Sequence, residues 1–102
     1  MPRIRGLARS IARQCEPRKV VLFGSHARGD ARPDSDVDLL VITDDRPGPD
    51  ASLKIRRAVR YDFPLDLIVC DLATLDRRID AGDFFLQDAL HEGKVLYERP
   101  AP

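Results

Sequence analysis

At 102 residues the chain has room for one compact domain, and residues 1–102 are read as a single unit. Hydrophobic residues make up 43% and charged residues 33%, the balance of a soluble globular protein that needs no disulfide staple. Lys+Arg and Asp+Glu both number 17, so the formal net charge is zero, which argues against stable nucleic-acid binding through the backbone. No apolar run reaches the length of a membrane span.

The elements follow in chain order. Ile4, Leu7, Ala8, Ile11, Ala12 and Cys15 recur at helical spacing, which predicts an amphipathic helix from Pro2 to Cys15. Arg5, Arg9 and Arg13 fall on its opposite, solvated side. The Arg-rich start resembles a transit peptide in composition but runs directly into the next element without a cleavable linker. Lys19–Phe23 reads as a buried strand, broken by Gly24-Ser25, with a short helix from Ser25 to about Gly29. Asp30–Ser35 is a loop. Val37–Ile42 is a second strand, with Val37, Leu39 and Val41 facing the core.

Arg46–Asp50, rich in Pro and Gly, is a loop, and Ala51–Tyr61 has a helical pattern. Leu65–Cys70 is a third strand. Two helices are expected next, over Leu72–Ala81 and from Phe84 to Leu90, the latter closed by Gly93. Lys94–Tyr97 is an edge strand, and Arg99–Pro102 a frayed tail. This order predicts an α+β fold of α/β-like character, a small mixed sheet with flanking helices. Cys15 and Cys70 show no metal or redox spacing and read as reduced core residues of a cytoplasmic protein.

Chemistry concentrates in Gly24-Ser25-His26-Ala27-Arg28-Gly29 and Ser35-Asp36-Val37-Asp38-Leu39. A Gly-Ser pair at the end of a strand turns the backbone sharply into a helix whose free N–H groups favour an anion. Arg28, one turn on, reaches toward the same anion or braces the acidic loop. Asp36 and Asp38, two apart, project from one face of a strand with Cα atoms about 6.6 Å apart. Two such carboxylates repel each other and raise each other's pKa unless a divalent cation lies between them. Asp66 opens an otherwise apolar strand. If that strand lies beside the second, Asp66 joins the pair, and three acids can hold two metal ions about 3.5–4 Å apart. Asp71 is the rival third acid but reads better as a helix N-cap. His26 and His91 receive no catalytic role. Asp30, Asp34, Asp44 and Asp45 read as loop solvation and turn chemistry.

The run from Leu22 to Leu40 resembles the signature of the DNA polymerase beta-like nucleotidyltransferase superfamily, and most closely its small MNT branch. The resemblance extends to Asp66 and to the Gly93–Tyr97 segment. It implies Gly24 and Ser25 at the triphosphate of ATP, Asp36 and Asp38 as ligands of two Mg²⁺ ions, and Asp66 binding the catalytic ion and helping to activate the acceptor hydroxyl. It also implies an all-helical HEPN toxin as partner, with this chain as antitoxin transferring AMP from ATP to a toxin tyrosine. Two alternatives stand beside it: a small-molecule nucleotidyltransferase working as a dimer, and a non-catalytic antitoxin that inhibits by covering its partner.

Overall fold

A computed structural model describes residues 2–100. Strand β2 (Val37–Thr43) organises the molecule. Val37, Leu39 and Val41 point to one face, Leu40 and Ile42 to the other, and all five are buried. A strand apolar on both faces belongs inside a sheet covered on both sides. Its neighbours are β1 (Lys19–Phe23) and β3 (Leu65–Asp71), and β4 (Lys94–Glu98) closes the far edge, giving the order β3-β2-β1-β4. β1 runs antiparallel to both β2 and β4, whereas β2 and β3 are parallel, so the sheet is mixed as the sequence predicts.

Helices α1 (Pro2–Cys15) and α3 (Ala51–Ala58) cover one face. Ile4, Leu7, Ala8, Ile11 and Ile55 pack there against Leu22, Leu39 and Val41. Arg5, Arg9 and Arg13 stay exposed on the outer side of α1, as its periodicity requires. Helices α4 (Leu72–Asp80) and α5 (Phe84–Glu92) cover the other face through Leu75, Leu86 and Ala89, which meet Phe23, Leu40 and Ile42. Reading only Val37, Leu39 and Val41 as core therefore captured one of two apolar layers. The face that carries Asp38 is itself roofed by helices, except near the start of β2.

Most boundaries fall within two residues of expectation, and two departures have a clear physical cause. Helix α3 ends at Ala58, not Tyr61, because Val59 turns extended and buries its side chain in the same apolar cluster. Arg99 is not frayed: its N–H donates to the Arg18 carbonyl and its guanidinium pairs with Asp44. Asp44 also accepts from Arg18 at 3.0 Å, so it is an ion-paired brace at the foot of the sheet and not loop solvation. Ala101 and Pro102 lie outside the described residues. Asp71 and Asp83 cap α4 and α5 by accepting from Thr74 N (3.0 Å) and Leu86 N (3.1 Å).

Leu39 has no exposed surface and sits between α1 and the sheet. Leu39→Ala is expected to lower the unfolding free energy by about 3 kcal/mol, measured by urea denaturation. Asp83→Ala, which removes only a cap, should cost about 1 kcal/mol in the same assay.

Candidate active site

The register of two strand pairs creates the site. Phe23 lies opposite Asp38 in the β1–β2 ladder, so Gly24 and Ser25 emerge beside that carboxylate. Asp38 lies opposite Asp66 in the parallel β2–β3 ladder. Parallel partners in register point to the same face, so two acids from distant parts of the chain stand side by side. They share a cavity of about 430 Å³ with Phe23, Gly24, Ser25 and Arg28, walled on the far side by α5.

Gly24 is held at φ 76° and ψ −155°, in the left-handed half of φ space that favours glycine. A Cβ at this position would also collide with Asp38 Oδ2. The glycine therefore serves two needs, the turn from β1 into α2 (Ser25–Arg28) and the seat of the Asp38 carboxylate. Gly29 closes α2 in the αL conformation, with its N–H donating to the Ser25 carbonyl. The Ala27 and Arg28 N–H groups both donate to the Gly24 carbonyl at 3.1 Å, which leaves those of Ser25 and His26 without an intrahelical acceptor.

Asp36 precedes the ladder, which begins at Val37 with its N–H donating to the Pro64 carbonyl at 2.8 Å. It is exposed and does not line the cavity, yet it lies near enough to act on Asp38. The loop that delivers it is built by a tight turn, in which Arg32 N donates to Ser35 Oγ at 2.8 Å. His26 Nε2–H donates to the Ser35 carbonyl at 3.3 Å and ties α2 to this turn. His26 is thus a positioning contact that motif reading passed over. Arg28 pairs with Asp30 (3.4 Å) and with Glu92 of α5 (3.8 Å), bracing the acidic loop and the cavity wall together.

The wall itself was not read from sequence as part of a site. Phe85, Asp88, Ala89 and Glu92 line the cavity from one side of α5. Their spacing of three and four is the signal, but only the sheet's position shows where that side points. Phe85 meets Phe23 edge to face at 5.7 Å and is 57% exposed.

Burial pushes the Asp38 carboxyl above its ordinary pKa, and the Asp66 and Asp36 charges push it further, while His26 and Arg28 oppose the rise. The cavity thus holds an excess of negative charge at its deepest acid. Among the described residues, no three His, Cys, Asp or Glu side chains close together as a ligand cage. The donor set at the shared register is two carboxylates with open space beside them. That suits Mg²⁺, which takes one or two protein carboxylates and completes its shell with water and phosphate oxygens.

A family model described as "Polymerase beta, Nucleotidyltransferase" matches residues 7–101. The chain belongs to the polymerase beta nucleotidyltransferase family. Among relatives of this family, the provisionally named protein adenylyltransferase MJ0604 of Methanocaldococcus jannaschii is 32% identical over 80 residues, 78% of either chain. A chain of a crystallised toxin–antitoxin with AMP-PNP shares the fold at 23% identity and a TM-score of 0.68, covering 93% of this chain and 73% of that one. A chain of the tri-AMPylated Shewanella oneidensis HEPN toxin in complex with MNT antitoxin does so at 23% identity and a TM-score of 0.58, covering 96% and 69%. The nucleotidyltransferase fold and enzyme class expected from the sequence are thereby established.

Because ionisation of Asp38 is penalised in the folded state, the metal-free protein should lose stability as pH rises through its raised pKa. Below the ordinary carboxylate pKa the penalty vanishes, since Asp38 is protonated in both states. Asp38→Asn should therefore melt higher than wild type at neutral pH in EDTA, with the two converging in acid. Addition of Mg²⁺ should raise the melting temperature of wild type only. An Asn variant that melts lower at neutral pH would contradict the like-charge account.

Proposed function

We propose that this chain is a Mg²⁺-dependent adenylyltransferase that moves AMP from ATP to a tyrosine of a helical HEPN toxin, acting in the cytoplasm as its antitoxin. The observation that carries this reading is the alignment of Asp38 with Asp66 beside the Gly24-Ser25 turn in one cavity. In the reaction, the acceptor hydroxyl oxygen attacks the α-phosphorus, the bond to pyrophosphate breaks, and the hydroxyl proton passes to a carboxylate. Asp66 lies on the rim and suits that proton, whereas Asp38, deeper and flanked by two acids, suits metal ligation.

Asp38 and Asp66, which share the cavity, would hold Mg²⁺, with Asp36 joining them as a further ligand through a shift of its exposed loop. When bound, Mg²⁺ screens the triphosphate charge and favours loss of pyrophosphate. Gly24 and the N–H groups opening α2 would take the triphosphate, with the Ser25 hydroxyl as a further donor. Arg28 would exchange its contacts with Asp30 and Glu92 for a phosphate oxygen.

A protein acceptor is favoured by two considerations. The M. jannaschii relative bears the name of a protein adenylyltransferase, and fold neighbours occur in toxin–antitoxin complexes. Phe85, which lines the cavity and is 57% exposed, also presents an apolar ring there, where an acceptor surface would dock. The two free cysteines suit a reducing compartment.

The test is transfer of label from α-labelled ATP to a co-expressed helical neighbour. Asp38→Asn and Asp66→Asn are each expected to reduce transfer by about 100-fold or more, a loss of roughly 3 kcal/mol in transition-state stabilisation. Transfer by the Asp38→Asn variant at the wild-type rate would refute the assignment. Binding of Mg·ATP without protein labelling would point to a small-molecule acceptor instead.

A further inference from the structure

Beyond Asp66, strand β3 runs along a second cavity of about 490 Å³ that shares no lining residue with the first. Three arginines line it. Arg77 and Arg78 come from the last turn of α4, and Arg46 from the loop after β2. Segments about thirty residues apart in sequence thus bring three guanidinium groups to one concavity. Among the described residues, none of the three forms an ion pair with a carboxylate, although the chain as a whole is charge-balanced.

One acid, Asp71, lines the same cavity, so the lining sets three positive charges against one negative. Asp71 accepts the Thr74 N–H at 3.0 Å to cap α4. Thr74 Oγ1 in turn accepts from Arg77 at 3.1 Å, which fixes that guanidinium on the cavity side of the helix. The inner surface is apolar, formed by Ile68 and Leu86. Three guanidinium groups against one carboxylate leave a net positive field on the concave surface, and the planar guanidinium fork fits phosphate oxygens in pairs. An apolar floor beneath a cationic rim is the combination that receives a flat ring bearing a phosphate.

We propose that this cavity is a second anion site that takes a mononucleotide, with its phosphate on Arg46, Arg77 and Arg78 and its base against Ile68 and Leu86. The site is independent of Mg²⁺, since its charge is already positive. It also stands apart from the acidic cavity, which disfavours an uncomplexed anion. All three arginines are exposed, so their removal leaves the core intact.

The test is titration of the full chain with AMP, inorganic phosphate and adenosine in EDTA, followed by amide chemical shifts. AMP should shift Thr74, Arg77 and Ala81, and bind at least tenfold more tightly than either phosphate or adenosine. Affinity should fall tenfold or more in Arg77→Ala/Arg78→Ala and in the separate variant Arg46→Ala, and remain unchanged in Asp38→Asn. Far-UV circular dichroism confirms folding of each variant, and Arg46→Ala tests the site from a different segment. The proposal is overturned if AMP leaves these amides unmoved or binds no better than phosphate. It is also overturned if the arginine variants bind as wild type, or if Asp38→Asn abolishes binding.

Discussion

Two carboxylates held side by side by a parallel ladder are the constraint around which this molecule is arranged. Asp38 and Asp66 repel, and the fold accepts that cost because β2 and β3 are locked in register by the apolar residues that follow them. Slipping either strand by one residue would separate the acids, but it would also turn Leu40 and Ile42 of β2, or Ile68 and Cys70 of β3, out of their layer. The same burial that stabilises the sheet therefore enforces an unfavourable electrostatic contact at its end. A site that is strained without its ligand is one prepared for a cation.

Gly24 is the other half of that arrangement. Its position after Phe23 is set by the β1–β2 register, and its missing Cβ gives Asp38 the space it occupies. The glycine of the motif is thus explained by packing against the Asp38 carboxylate as well as by its backbone turn. Around this centre, His26 anchors the turn that presents Asp36, and Arg28 links the loop to α5. Each of these contacts is individually weak, being exposed or half-buried. Their role is orientation, and the energy that holds the fold comes from the two apolar layers.

Much of this arrangement is legible in the sequence. Strand and helix positions follow from runs such as Val20–Phe23 and from the periodicity of Ile4, Leu7 and Ile11, because burial acts on local pattern. The acids were legible because a charge opening an apolar strand, as Asp66 does, has few structural explanations. The α5 wall was less visible. Phe85, Asp88 and Glu92 carry no motif, and their side of the helix becomes part of a site only when Leu86 and Ala89 dock against the sheet. Asp44 was misread for a related reason. Its partners Arg18 and Arg99 lie 26 and 55 residues away, and no local pattern announces an ion pair made by the closing of a sheet. The end of α3 depended likewise on where Val59 could find an apolar neighbour.

The placement of α5 has a bearing on how the protein is made. Gly24, Ser25, Asp36, Asp38 and Asp66 all precede residue 70, whereas the wall that encloses them and the strand that completes β1's pairing are built from residues 84–98. During synthesis from the N-terminus, the reactive groups are translated well before the cavity that confines them can form. A nascent or prematurely ended chain would display the acids on an open sheet, with Phe23, Leu40 and Ile42 bare beside them. Enclosure of the acids and completion of the sheet therefore depend on the same late-made segment, residues 84–98.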